Sequence, residues 1–129
     1  MARILVAEDE APLRAQIVRA LLADGHDAVV AADGGEALDV LVRQNGRFDL
    51  LLTDSKMPVM DGIALALAAA RDYPDLIILL MTGYADQRER ASGLDALIRD
   101  ILTKPFALAE LQRVIADALG ARQHGSAEL

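Results

Sequence analysis

The sequence predicts an α/β fold, a doubly wound three-layer sandwich in which a parallel sheet lies between two layers of helices. Short runs rich in Ile, Leu and Val recur five times along the chain. They are too short for helices and mostly lack polar alternation, which is typical of strands buried on both faces. Between them lie segments with apolar residues three or four positions apart, which indicates amphipathic helices. Regular alternation of the two patterns favours a parallel sheet.

The five predicted strands cover residues 3–7, 27–32, 49–53, 76–81 and 100–103. A stripe of Leu13, Ile17 and Leu21 predicts the first helix, and Asp33 opens a second that ends near Gly46. Further helices are predicted over 62–72, over about 86–93, and from Leu108 to a glycine stop at position 120. The domain is therefore expected to span residues 1–120, followed by a flexible tail over 121–129.

Composition excludes several classes of protein. The chain has 129 residues, 53% of them apolar, which suits one domain with a substantial core. It has no cysteine, no secretory signal and no apolar run of membrane-spanning length, so we expect a cytoplasmic protein without membrane contacts. A net charge of -7 and arginines interleaved with acids argue against nucleic-acid binding, which needs a basic face.

Polar residues follow four of the predicted strands at the point where each strand ends. In a parallel sheet these positions meet at one edge, where α/β folds form their sites. Each group has an ordinary structural interpretation as a helix cap, a turn or a strand exit. Their joint occurrence favours a functional site. The residues are Glu8, Asp9, Glu10, Asp54, Thr82, Gly83, Lys104 and Pro105.

The chemistry of this set favours phosphoryl transfer. Carboxylates about 4 Å apart repel by roughly 1 to 4 kcal/mol per pair, so a cation is expected among them. Magnesium prefers such oxygen ligands. Asp54 could then act as a nucleophile that forms an acyl phosphate. The metal, Thr82 and Lys104 would each bind one equatorial oxygen of the transferred group.

Four motifs resemble those of the receiver domains of two-component response regulators, the CheY-like family. They are the acidic pair after the first strand, "TDSKMPVMDG", "MTG" and "LTKPF", and the resemblance extends from Ala2 to about Gly120. It implies a sheet order of 2-1-3-4-5. It also implies a signalling protein that is no conventional enzyme and catalyses only its own phosphorylation and dephosphorylation.

The resemblance assigns a role to each site residue. Asp54 would accept a phosphoryl group from a sensor histidine kinase or a histidine phosphotransfer protein. Mg²⁺, or Mn²⁺ in its place, would be held by Asp54, Asp9, Glu8 and the backbone carbonyl of Lys56, with Glu8 acting partly through water. Thr82 and Lys104 would contact the phosphoryl oxygens, and the peptide before Pro105 would be cis. The loop residues that shape the site would be Met57, Pro58, Gly62, Gly83 and Pro105.

One position departs from the family pattern. Many receivers carry Tyr or Phe three residues before the lysine, where the ring reports the state of the threonine. This chain has Ile101 there, which is stiff at its first side-chain torsion and has no hydroxyl. Tyr84 is the nearest alternative aromatic, and we hypothesise that it takes over the switch. A tyrosine that only shields the site is the competing interpretation.

The resemblance also bears on output. No segment after position 120 is long enough for a second domain, so we expect a stand-alone receiver that signals through a protein partner. The expected contact face comprises the fourth and fifth predicted helices and the fifth strand, and weak dimerisation is compatible with the family. The motifs are similar to those of CpdR-type cell-cycle receivers of alphaproteobacteria, which act as adaptors of a Clp protease. Lys56 and "TGYADQRE" depart from that group, and a phosphorelay shuttle or phosphate sink is the alternative.

Three further classes compete with a phosphorylated receiver. A flavodoxin shares the fold but needs a phosphate-binding loop after the first strand, where this chain has three acids. A haloacid-dehalogenase-type phosphatase needs a second carboxylate two residues after its nucleophile, where this chain has Lys56. A receiver that binds partners without phosphorylation usually lacks the acceptor or one of the acids, and here all are present.

Overall fold

The computed structural model describes residues 1–83 and 96–127, with side chains up to residue 120. The predicted helix over 86–93 and the switch assigned to Tyr84 lie outside the described residues. The described elements are β1 (Arg3–Ala7), α1 (Ala11–Ala23), β2 (Asp27–Ala31), α2 (Gly34–Arg43), β3 (Leu50–Asp54), α3 (Gly62–Asp72), β4 (Ile77–Thr82), β5 (Asp100–Thr103) and α4 (Leu108–Ala127).

The sheet confirms the predicted topology. Its five strands are parallel and run in the order β2-β1-β3-β4-β5. The central strand β3 is buried at every position. It ends one residue later than predicted, on Asp54, and β4 likewise ends on Thr82. Two site residues are therefore held by the sheet itself.

The core lies on both faces of the sheet because side chains along a strand alternate between faces. Leu5, Leu51 and Ile78 point to the face that α2 and α3 cover. Ile4, Leu52 and Leu79 point to the opposite face, where they pack against α1 and α4. This arrangement explains why the strand sequences lack polar residues except at their ends.

Helix ends match the sequence patterns at two of the helices. The Asp33 side chain accepts a hydrogen bond from the Glu36 amide, and Asp61 caps α3 in the same way. The prediction that the last helix stops at Gly120 is wrong, because α4 passes this residue and runs to Ala127. Glycine ends a helix by adopting a positive φ, and Gly120 does not do so.

Candidate functional site

Three carboxylates meet at the carboxyl end of the sheet. Glu8 and Asp9 follow β1, and Asp54 is the last residue of β3. These strands are parallel neighbours with Ala7 opposite Thr53, so the residues at their ends come together. Ligand oxygens of the three acids lie within 4.8 Å of one another. The structure thus brings together the acids that the sequence predicted at this edge.

The three acids differ in exposure. Glu8 is fully buried, whereas Asp54 retains 7% of its accessible surface. Asp9 is exposed. The group of acids therefore has a buried side, formed by Glu8, and a solvent-exposed side, formed by Asp9. Asp54 is nearly as buried as Glu8 but retains a small accessible surface.

Lys104 supplies the positive charge of the site. It follows β5, two strands away from β3, and its side chain extends across the end of β4. The ammonium donates to Glu8 Oε1 at 2.8 Å and to Asp54 Oδ2 at 2.9 Å. Its backbone amide donates to the carbonyl of Thr82 at 2.7 Å, and the peptide bond to Pro105 is cis, as predicted. One ammonium thus joins two of the three carboxylates.

Burial and pairing shift the ionisation of this pair. Burial raises the pKa of the Glu8 carboxyl, and the hydrogen bond from Lys104 opposes that effect without cancelling it. Burial acts to lower the pKa of Lys104, but its hydrogen bonds to Glu8 and Asp54 prevail and raise the pKa above the ordinary value. The ammonium is therefore held in its charged form at neutral pH.

Thr82 lies beside the acceptor strand. Met81 stands opposite Asp54 in the β3–β4 register, so Thr82 is one residue further along the neighbouring strand. It is fully buried, and its side chain belongs to the same end of the sheet as the acids. The predicted set of Asp54, Thr82 and Lys104 thus comes from three adjacent strand ends.

The loop over residues 55–62 is fixed at both of its ends. The Ser55 amide donates to the Met81 carbonyl at 2.7 Å, and the Gly62 amide donates to the Ser55 carbonyl at 3.0 Å. A Cβ at position 62 would overlap the Asp54 carbonyl oxygen, so only glycine fits there. This close approach explains the predicted loop glycine.

An open cleft of about 920 Å³ leads to the acidic group. Its walls include the predicted loop residues Met57, Pro58, Gly83 and Pro105. Three further lining residues had no functional prediction from the sequence, namely Leu13, Gln16 and Phe106. Leu13 belongs to a helical stripe that indicates core packing. That it also lines the cleft follows from how α1 lies against the sheet, which the sequence pattern does not reveal.

The predicted positions 56 and 101 have different surroundings. The Lys56 side chain is exposed on the cleft. It forms no ion pair with Glu8, whose carboxylate contacts the Lys104 ammonium instead. Ile101 lies opposite Leu80 in the β4–β5 register and packs, half buried, against the core under α2 and α3.

The donor set fits a hard divalent cation. Such ions bind oxygen ligands, and one or two carboxylates with water molecules are usual for Mg²⁺. Asp9 offers an exposed carboxylate and Asp54 offers a second one at the base of the cleft. In the described part of the chain, the Asp9 side chain forms neither a hydrogen bond nor an ion pair, so it is available as a ligand.

Comparisons with known proteins agree with this geometry. The response regulator receiver domain family matches residues 4–116. The response regulator MprA of Mycobacterium sp. strain KMS is 40% identical over 109 residues, which are 84% of this chain and 46% of that protein. The chain thus spans about half the length of the curated relatives it matches.

Two solved structures resemble the chain over nearly its whole length. A CheY-like receiver domain protein of Methanospirillum hungatei has a TM-score of 0.87 at 27% identity, covering 97% of this chain and 98% of the other. The response regulator TrrA of Thermotoga maritima, solved in complex with Mg²⁺ and BeF, has a TM-score of 0.81 at 29% identity, with coverages of 92% and 99%.

No helix in residues 1–83 and 96–127 is long and apolar enough to cross a membrane.

Proposed function

The chain belongs to the response regulator receiver domain family, and from that premise we propose that it accepts a phosphoryl group on Asp54. The donor would be a sensor histidine kinase or a histidine phosphotransfer protein. One observation carries the proposal: the Asp54 carboxylate lies at the base of an open cleft with the Lys104 ammonium 2.9 Å from Oδ2. A carboxylate and a fixed positive charge that lie together on an open cleft support a nucleophilic role for Asp54.

The proposed reaction is an in-line displacement at phosphorus. A carboxylate oxygen of Asp54 forms the new bond to phosphorus while the bond from phosphorus to the donor nitrogen breaks, and the donor histidine keeps the electron pair. The Lys104 ammonium and the Thr82 hydroxyl would bind equatorial oxygens, where charge must be stabilised. In dephosphorylation, an oxygen of water forms a bond to phosphorus while the bond from phosphorus to the Asp54 oxygen breaks, which restores the Asp54 carboxylate and releases inorganic phosphate. The protein would catalyse only these two reactions of its own acceptor.

We assign Mg²⁺ to the acidic group, with Mn²⁺ as a possible substitute. Asp9 and Asp54 would hold it with the Lys56 backbone carbonyl, and Glu8 would complete the negative environment. The cation would neutralise charge on the phosphoryl oxygens. The roles of the chain itself are to fix the carboxylates on neighbouring strand ends and to keep the lysine charged beside them.

The shape of the cleft limits how a donor can approach. A histidine side chain must enter between the walls to reach Asp54, so the surface that carries it must contact the residues around the opening. Several of these residues are apolar, including Leu13, Pro58 and Phe106. Apolar contacts with the donor protein would therefore bring its phosphohistidine to the acceptor.

Mass spectrometry after treatment with acetyl phosphate tests the proposal. We expect one added phosphoryl group with Mg²⁺ present and none with EDTA. Asp54→Asn should abolish the addition. Asp39→Asn removes an exposed carboxylate on α2 and should leave it intact. An unmodified wild-type protein in Mg²⁺ would contradict the proposal and favour a receiver that binds partners without phosphorylation.

For the output we propose a contact with a downstream protein in the cytoplasm, made by a receiver domain over residues 1–120 whose last helix continues to Ala127. The surface comprises β5, α4 and the predicted helix over 86–93. In its support, β5 is an edge strand of the sheet and Asp100 and Thr103 on it are exposed. Weak dimerisation through this surface is compatible with the proposal.

Two kinds of output can be separated by binding measurements. A protease adaptor should bind a Clp unfoldase with an affinity that changes when acetyl phosphate and Mg²⁺ are added. A shuttle or phosphate sink should instead pass its label to a histidine phosphotransfer protein. Transfer without phosphorylation-dependent unfoldase binding would contradict the adaptor role.

A further inference from the structure

The chain contains a single asparagine, Asn45, and the next residue is Gly46. The two residues follow α2 and precede β3. Asn45 is exposed, and in the described part of the chain its side-chain amide has no hydrogen-bond partner. A glycine after asparagine leaves its backbone nitrogen unshielded by a side chain, so this nitrogen can approach the asparagine amide more easily than that of any other residue.

Backbone hydrogen bonds close the corner between α2 and β3, residues 44–48. The Gly46 amide donates to the Leu41 carbonyl at 2.8 Å, and the Asn45 amide donates to the Val42 carbonyl at 3.2 Å. Both residues of the pair are left-handed, with φ of 54° at Asn45 and 65° at Gly46. This is the Schellman motif, which caps the last carbonyls of a helix. The cap of α2 therefore engages the glycine nitrogen that faces the asparagine.

Side chains from other elements cover the same corner. A Cβ at position 46 would overlap the Tyr73 ring, so the ring lies directly against Gly46. The Tyr73 hydroxyl donates to the Leu41 carbonyl at 3.4 Å. The Gln44 side chain accepts a hydrogen bond from the Arg3 guanidinium. The glycine nitrogen can reach the neighbouring side chain only when the corner opens locally.

We propose that Asn45 is a site of deamidation and that local opening of the corner sets the rate. When the corner opens, the Gly46 nitrogen forms a bond to Cγ of Asn45. The bond from Cγ to Nδ2 breaks, and Nδ2 leaves as ammonia with the electron pair of that bond and the proton from the Gly46 nitrogen. The product is a cyclic imide.

Water then opens the imide ring. Its oxygen forms a bond to one of the two ring carbonyl carbons, the bond from that carbon to the ring nitrogen breaks, and the nitrogen takes a proton from the water. Attack at the side-chain carbon yields aspartate, and attack at the main-chain carbon yields isoaspartate. Either product adds a negative charge. Isoaspartate also lengthens the main chain by a methylene group, so the two hydrogen bonds of the Schellman motif can no longer form together.

Mass spectrometry of the whole chain in alkaline buffer tests the proposal, because base helps the glycine nitrogen to lose its proton. The readout is the mass gain when NH2 is replaced by OH. Folded wild-type protein should deamidate at least about tenfold more slowly than the same chain in urea, since the closing hydrogen bonds must first break. Asn45→Gly is the matched control: glycine suits the left-handed cap, so the fold is retained and the mass gain is lost.

Two further variants distinguish local opening from global unfolding. Tyr73→Leu removes the ring that covers Gly46 and should raise the rate in the folded protein roughly fivefold. Val114→Ala creates a cavity on the opposite face of the sheet, so it should lower stability and leave the rate unchanged. Circular dichroism verifies that both variants are folded.

Three results would overturn the proposal. The first is an unchanged mass for the wild-type chain in urea, and the second is an equal rate for folded and unfolded chains. The third is an acceleration by Val114→Ala as large as that by Tyr73→Leu, because global unfolding would then expose the pair. None of these measurements depends on phosphorylation of the chain.

Discussion

The two ends of the sheet differ in how their polar groups are paired. At the amino end, the Arg3 amide donates to Asp49 Oδ2 at 2.8 Å. The Arg3 guanidinium lies 4.7 Å from the centroid of the Phe48 ring and donates to the Gln44 side chain. Arg3 and Asp49 thus each have a partner on a neighbouring segment of the chain, and the cluster connects β1 with α2 and the segment before β3.

At the carboxyl end of the sheet, the negative side chains outnumber their positive partners. One ammonium, that of Lys104, serves two buried carboxylates, while Asp9 faces solvent without a side-chain partner in the described residues. The difference indicates that the amino end contributes stability, whereas the carboxyl end keeps an excess of negative charge ready for a cation. Substitutions at the two ends should therefore separate loss of stability from loss of phosphorylation.

The largest effect is expected from Gly62→Ala at the carboxyl end. The new methyl group would overlap the Asp54 carbonyl oxygen, so the backbone under the acceptor must move. We expect the free energy of unfolding to fall by about 3 kcal/mol, the upper range for overpacking. Phosphorylation by acetyl phosphate should also slow. Urea denaturation and mass spectrometry measure the two effects.

Gly120→Ala is the matched control for that substitution. A Cβ at position 120 in α4 meets no atom within 4 Å. Alanine in a helix should leave stability unchanged or raise it by about 0.5 to 1 kcal/mol. Equal losses from the two glycine substitutions would show that the close contact beneath Asp54 is not the cause.

A smaller effect, dependent on metal, is expected from Lys104→Met. The substitution leaves Glu8 and Asp54 buried without their ammonium, which should lower the free energy of unfolding in EDTA by about 2 kcal/mol. Saturating Mg²⁺ should reduce the loss because the cation replaces part of the missing charge. Denaturation curves with EDTA and with Mg²⁺ measure this difference.

Lys56→Met provides the comparison for a lysine on the same cleft. Lys56 is exposed, and its ammonium has no partner in the described part of the chain, so its loss should change stability by no more than about 0.5 kcal/mol. The interpretation of Lys104 would be contradicted if Lys104→Met cost the same stability with and without Mg²⁺.

A smaller loss of stability than that of Lys104→Met is expected from Arg3→Met at the amino end. Loss of the contact with Phe48 and of the bond to Gln44 should cost about 1 kcal/mol. The rate of phosphorylation should stay at the wild-type value because the site lies at the other end of the strands. A fall in the phosphorylation rate as large as that of Gly62→Ala would contradict the distinction between the two ends.

Much of this site could be predicted from the sequence because each residue marks the end of an apolar run. The runs before Asp54 and Thr82 are continuous and buried, and the parallel topology brings their ends to one edge. The strand order and the cis peptide before Pro105 followed from the family resemblance, and the structure confirms both. The roles assigned to individual site residues stay predictions until the acceptor is tested.

Contacts across the sheet were harder to predict. Glu8 could pair with either lysine of the chain. Pairing with Lys104 requires its side chain to extend from the end of β5 past β4, and no local sequence pattern encodes that distance. In the structure, the ion pair with Glu8 is formed by Lys104. The acidic segment after β1 also invited interpretation as a helix cap, yet Glu10 at the N-cap of α1 makes no side-chain capping bond. Its backbone amide instead holds Glu8.

The contact between Lys104 and Glu8 also has a consequence for synthesis of the protein. The two residues are 96 positions apart in the chain, and β5 must pair with β4 before the ammonium can reach the carboxylates. A chain emerging from the ribosome therefore exposes its acceptor strand long before it possesses the lysine. Contacts between such distant positions form late in folding. If Asp54 is the acceptor, competence to accept a phosphoryl group would arise only when nearly the whole domain has been made and folded, so incomplete chains would not compete for the donor.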